Sequence, residues 1–111
     1  MDTLVHYRQL IQKILTDYTQ IPYAYGDIQF ETVFDRESDR YLVVILGREK
    51  IRRVHSCLIH VDIIDGKVWI QRDGSEEGIA SELIKAGIPK EQIVLGFRSP
   101  KRRKLTELAV A

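Results

Sequence analysis

One cysteine, Cys57, stands in a chain of 111 residues. That excludes an intramolecular disulfide and a cysteine-based zinc site, and it fits a reducing, cytoplasmic setting. A charge surplus is missing too: 17 Lys and Arg against 16 Asp and Glu leave a formal net charge of +1. So small a total supplies no overall field to draw in nucleic acid or an anionic membrane. Long apolar runs are absent. The longest, 41–46 and 57–64, are strand-sized, well short of the ~20 residues a membrane helix needs. The opening MDTLVHYRQL lacks the charged-then-apolar pattern of a secretory signal. With no repeat, low-complexity stretch or composition break, residues 1–111 read as a single domain, long enough to bury a core without staples.

What is present is clear periodicity. Leu4, Tyr7, Leu10, Ile11, Ile14, Leu15 and Tyr18 form an apolar stripe of helical period over 3–19, with Asp2 or Thr3 to cap it and Pro22 to end it. A turn at 23–26 follows. Residues 27–35 alternate, with Ile28, Phe30, Thr32 and Phe34 on one face, as a half-buried strand does. Residues 40–47 are apolar on both faces. Residues 51–64 read as a long strand with room for a bulge, Cys57, Ile59, Val61 and Ile63 on one face and Leu58, His60, Asp62 and Ile64 on the other. Asp65-Gly66 is a two-residue hairpin turn leading into 67–72. There Trp69 faces away from Val68 and Ile70, either under a helix or in a subunit interface. The connections are too short for parallel crossovers, so these four strands form an antiparallel meander. A helix is expected from about 75 to 86, capped by Ser75 or Asp73, with Glu76 and Glu77 in its first turn and Gly87 and Ile88 closing it. Residues 93–97 read as a fifth short strand or an extended segment. KRRK at 101–104 reads as exposed, and the apolar 105–111 as docked. The fold class is therefore α+β: N-terminal helix, four-stranded antiparallel meander, second helix and short C-terminal extended segments.

Chemistry is harder to find. His55 and His60 point to opposite faces of one strand and cannot share a metal. His60 and Asp62 share a face, but no third ligand or nucleophile joins them, and an ordinary structural role outweighs a metal site. Asp62, Asp65, Asp73, Glu76 and Glu77 could be taken for the acidic cluster of a metal-dependent nuclease. Turn and helix-end roles account for most of them without an ion, and Lys67 alone is weak support for a catalytic lysine. Gly74 and Gly78 flank acids that would repel a phosphate, which excludes a P-loop. Cys57 reads as a buried, inert thiol. No catalytic, cofactor-binding or metal-ligating residue is assigned.

Only the basic clusters resist a bland reading. Arg48, Lys50, Arg52 and Arg53 crowd one turn region. Arg98, Lys101, Arg102, Arg103 and Lys104 form a second group. Both could contact phosphates or an acidic protein surface, or be a solvated loop. Neither a helix-turn-helix nor a stacking aromatic pair accompanies them.

One block, CLIHVDIIDGKVWIQRDGSEEGIASELIKAGIPKEQIVLGF at 57–97, carries a resemblance. With HYRQLIQKIL, Tyr25-Gly26-Asp27 and the terminal TELAVA, it resembles the XisI-like family, the fdxN-element excision controlling factors. WIQRDGSEEGIA is its most specific part. Departures fall at REKIRRVHS (48–56) and KRRKL (101–105), and Leu105 and Leu108 stand where the family is expected to carry an aromatic. The resemblance implies an accessory role in programmed excision of a DNA element, in which a separate site-specific recombinase does the strand chemistry. It implies an XisH-like partner, and it carries over no catalytic residues. The expectation is a non-catalytic factor acting through protein contacts, with direct DNA binding through 48–53 and 98–104 as the alternative. An apolar sheet with two amphipathic helices also predicts a homo-oligomer, a dimer favoured.

Overall fold

A computed structural model describes residues 3–20, 27–75 and 78–111. The apolar stripe is one helix, α1 (Thr3–Thr19), and its spacing carries Tyr7, Ile11 and Leu15 into the core. Four strands follow: β1 (Asp27–Asp35), β2 (Arg40–Glu49), β3 (Arg52–Ile64) and β4 (Lys67–Asp73). Then come α2 (Ile79–Lys85), a 3-10 turn (Lys90–Gln92), β5 (Ile93–Leu95) and a one-turn helix, α3 (Pro100–Arg103). The sheet has five strands in the order β1-β2-β3-β4-β5. The first four form the expected antiparallel meander. The sheet exceeds the expected four strands because 93–95 joins it, parallel to β4, across the long connection that contains α2.

Side chains alternate across a strand, so each face of the sheet has its own list. Tyr41 and Val43, then Ile59, Val61 and Ile63, then Val68 and Ile70 face the helices and are buried against Ile11, Leu15, Ile79 and Leu83. Phe30 and Phe34 close the β1 side, with ring centroids 5.7 Å from Tyr18 and 5.8 Å from Tyr41. Both α1 and α2 therefore cover the same face.

Two bulges interrupt the alternation, at Val43/Val44 and at His60/Val61. The first corrects the expected faces of β3. Cys57 pairs with Val44, one residue beyond core-facing Val43, and so lies on the face away from the helices. Leu58 is the extra residue and packs against the core instead of sharing the face of His60. Trp69 also lies on the face away from α1 and α2. It is half-buried, with the Arg103 guanidinium 5.1 Å from its ring centre.

The turns follow local chemistry. Asp65 and Gly66 have φ of 50° and 79°, as a type I′ hairpin requires. Helix α2 ends with Ile88 N–H donating to Leu83 C=O and Gly87 N–H to Ile84 C=O, with Gly87 at φ 111°. Its start is later than the expected 75. Gly78, at φ 89°, breaks the helical path, and the Asp73 carboxylate reaches forward to accept from Ile79 N–H at 2.7 Å. The same carboxylate accepts from Ser75 N–H at 3.0 Å. Glu76 and Glu77, the capping Asp2, Pro22 and the turn at 23–26 lie outside the described residues.

Helix α1 is pinned to the β1–β2 turn by a polar cluster. Arg8 donates to both oxygens of Asp39, at 2.7 and 3.1 Å, and the Tyr41 hydroxyl donates to Asp39 at 2.9 Å. The Arg8 hydrogen bond holds the Asp39 carboxyl below its ordinary value. Burial, then the bond to Asp39, pushes Tyr41 up to about 12.

Two predictions follow from these contacts. Gly66→Val destabilises the hairpin by at least about 1 kcal/mol in urea unfolding, since a left-handed residue with a Cβ costs about 1–2 kcal/mol, whereas Gly66→Asn is tolerated. A folded pKa below the unfolded one means that Asp39 stabilises fully above its ordinary value of 3.8, and loses that contribution as pH falls through it toward the lower folded value. Asp39→Asn should therefore lower stability at pH 7 and flatten the acid limb of the stability profile.

Candidate functional site

The first basic cluster forms the tip of the β2–β3 hairpin. Arg48 pairs with Arg53 across the strands and Glu49 with Arg52. Lys50 turns the chain at φ 60°. Ile51, next to it, is 96% exposed. Arg48, Lys50, Arg52 and Arg53 are exposed, and among the described residues none of them forms an ion pair within the chain. Like charges directly across a ladder are destabilising; Arg48 stands between Arg53 and Asp27, which offsets the repulsion on one side and leaves Arg53 facing a like charge. The bare Ile51 at the centre of this charge is a feature that the basic residues overshadow in the sequence.

The second cluster divides. Ser99 caps α3, its hydroxyl accepting from Arg102 N–H at 3.3 Å, so 100–103 is a helical turn rather than a loop. Arg98, Lys101, Arg102 and Lys104 are exposed. Arg103 is not free for a partner. Its Nε donates to the Arg98 and Leu95 carbonyls at 2.9 and 3.2 Å, and a terminal nitrogen donates to the Val110 carbonyl at 3.2 Å. This binds the tail back onto β5, where Ala109 N–H donates to Ile93 C=O at 2.8 Å and Lys67 donates to the Ala111 carbonyl. The docking expected of 105–111 is realised through 108–111. Leu108 packs against the core, while Leu105 stays exposed. The two clusters occupy different parts of the sheet: one caps β2–β3, the other follows edge strand β5.

On the face away from the helices, Asp62 is the one charged residue buried among the described residues, at 3% exposure. His60 Nε2 lies 2.7 Å from one carboxylate oxygen, and Arg40 and Gln71 donate to the other at 3.2 and 3.4 Å. The carboxylate can only accept, which places a proton on His60 Nε2. The His60–Asp62 pairing read from the sequence is thus present, joined by Arg40, its cross-strand neighbour, and by Gln71 beside the second bulge. Gln71 could be recognised only with the pairing register in hand. Every partner of Asp62 is a protein side chain, so the cluster reads as a satisfied polar network.

The other candidates separate. Asp65 sits in the hairpin turn and Asp73 caps α2, so they do not converge with Asp62. No group of three or more His, Cys, Asp or Glu suited to a metal ion occurs among the described residues. Burial pushes the Cys57 thiol up, away from the reactive thiolate form. No helix of the structure is long and apolar enough to cross a membrane.

Comparison with known proteins gives a consistent result. A family model described as XisI protein matches residues 1–110. A solved XisI-like protein from Anabaena variabilis ATCC 29413 is 36% identical, covers 98% of this chain and all of its own, with a TM-score of 0.89. The fdxN element excision controlling factor XisI from the same organism is 36% identical, covers 99% of this chain and all of its own, with a TM-score of 0.85. Among curated proteins none matches.

The division of the second cluster is testable. Replacing Lys101, Arg102 and Lys104 together by Ser should change unfolding free energy by no more than about 0.5 kcal/mol, as exposed substitutions do. Arg103→Ser strips donors from three carbonyls and should cost about 1–3 kcal/mol. It should also speed hydrogen exchange at Ala109.

Proposed function

The chain belongs to the XisI protein family, and from that premise we propose that it is a non-catalytic controlling factor for programmed excision of a DNA element. It acts in the cytoplasm by contacting an XisH-like protein, and through it a site-specific recombinase that does the strand chemistry. The name of one relative, an fdxN element excision controlling factor, supports the role. The observation that carries the mode of action is the β2–β3 tip. An apolar side chain bare to solvent among cations that form no ion pair among the described residues has the form of an interface anchor with a charged rim. Such a rim steers toward an acidic protein surface. The exposed Arg98, Lys101, Arg102 and Lys104 give the same partner a second contact.

Direct DNA binding is the second reading. The Arg48–Arg53 pair favours it, because phosphate is as good a counter-charge as carboxylate. Against it stand the net charge of +1 and the want of an element that reads base edges.

A DNA shift assay on the isolated protein, repeated with the XisH-like partner added, separates the two. The expected result is weak, sequence-indifferent binding alone and a defined complex with the partner. Replacing Lys50, Ile51 and Arg52 by Ser should abolish that complex while leaving the fold intact. Tight, sequence-selective binding by the isolated protein, with affinity falling steeply with salt, overturns the protein-contact reading.

A further inference from the structure

Among the described residues, the sheet face away from α1 and α2 is covered at its β4–β5 end alone, by Arg103 over Trp69 and by the tail beside Val94, which is fully buried. Across β1–β3 no described helix lies on it. The pairing register shows what it presents. Down β2 run Leu42, Val44 and Leu46, all half-exposed, an aliphatic line with Cys57 beside it. Down β1 run Asp27, Glu31 and Asp35, interleaved with Gln29 and Val33. Down β3 run Arg53, His55 and His60, with Arg72 of β4 opposite His60. Asp62 shares that column, but its carboxylate is already held by Arg40, His60 and Gln71. The face is thus a line of aliphatics with Asp27, Glu31 and Asp35 along one side and Arg53, two imidazoles and Arg72 along the other. Among the described residues Asp27, Glu31, Arg53 and His55 form no ion pair within the chain.

We infer that this face is closed by a second copy of the same chain, the two sheets packed face to face about a two-fold axis parallel to β2. That axis lays the aliphatic line on its own copy and sets the β1 column of each chain over the β3 column of the other, Glu31 above Cys57 and Asp35 above Asp62, whose carboxylate Arg40 already holds. In register, Asp27 of one copy stands over Arg53 of its partner. An axis across the strands would set β1 acids on β1 acids, so the charge pattern selects between the two face-to-face arrangements. Paired sheets prefer alignment within about 30°, which keeps the columns matched at the centre of the patch. Arg40 and Arg48 meet their own copies only at the two ends, in the solvated rim beside the partner's Asp35 and Asp27. A self-complementary patch of this kind is what an isologous dimer requires. Lys50, Ile51 and Arg52 of the β2–β3 tip lie beyond the patch, so the dimer leaves them open to another partner.

Light scattering and sedimentation on the full chain test the inference. A dimer at micromolar concentration is expected. Val44→Arg, which sets two charges against each other near the axis, should yield a monomer whose circular dichroism matches the parent. Asp27→Arg alone and Arg53→Asp alone should each raise the dimer dissociation constant about tenfold or more. Asp27→Arg with Arg53→Asp in one chain restores opposite charges across the axis and should recover the dimer. These two side chains are exposed, so this cycle reads association even if Val44→Arg fails to fold. A monomeric parent, a dimer indifferent to the single reversals, or a double reversal weaker than either single one overturns the inference. Loss of the XisH-like complex with the dimer intact would count against the proposed function only.

Discussion

Five strands present two faces to cover, and helices α1 and α2 both lie on one. The order of elements imposes this. Helix α1 precedes the meander and α2 follows β4, and both turn their apolar stripes to the side where Tyr41, Val43, Ile59, Val61, Val68 and Ile70 converge. Once that side is the core, the other must remain wet, be covered by the tail or be buried by another molecule. On that face the tail reaches Val94 and Arg103 reaches Trp69, because the parallel β5 brings the chain out at that edge. The open stretch across β1–β3 is a consequence of connectivity as much as of composition.

The bulges belong to the same constraint. A strand of 13 residues that kept strict alternation would carry Cys57 to the core and Leu58 to water. The extra residue at 58 reverses that and seats Leu58 against the core, under Gly74, whose N–H donates to the Leu58 carbonyl at 2.8 Å. A Cβ on residue 74 would press on the Leu58 side chain, so the second Asp-Gly pair also serves close packing. The second bulge places Gln71 within reach of Asp62. Both irregularities depend on what lies across the ladder, which is why neither could be located from β3 or β4 alone.

Where the chemistry is local, the sequence is legible. The period of α1, the alternation of β1, the positive φ at Asp65-Gly66 and the Gly87-Ile88 close of α2 each use residues a few positions apart, and all four are realised. What depends on distant partners is not legible. The start of α2 moved because Asp73 caps it from six residues away. Trp69 found Arg103 rather than a helix. Arg103 looked like one cation in a run of four, and only the tail's return past Leu95 makes it a strut. The candidate surface shows the same limit: its basic residues are plain in the sequence, while the exposure of Ile51 and the lack of ion-pair partners among the described residues are facts of the fold.

A near-zero net charge thus conceals a division of labour among the charges. Asp39 and Arg8 bind a helix to a turn, Asp62 and Arg40 hold two strands in register, Asp73 caps α2, and Arg103 anchors the tail. Subtracting these leaves cations at the β2–β3 tip and around α3, and Asp27 and Glu31 along β1. Charges left without intramolecular partners contribute little to stability, so their arrangement carries information about what lies outside the chain. The basic tip and the acidic strand sit on the same hairpin stack, one at its end and the other along its edge. Contact at the tip and pairing across the face can therefore coexist, and a dimer built on the face would present two tips to whatever the protein controls.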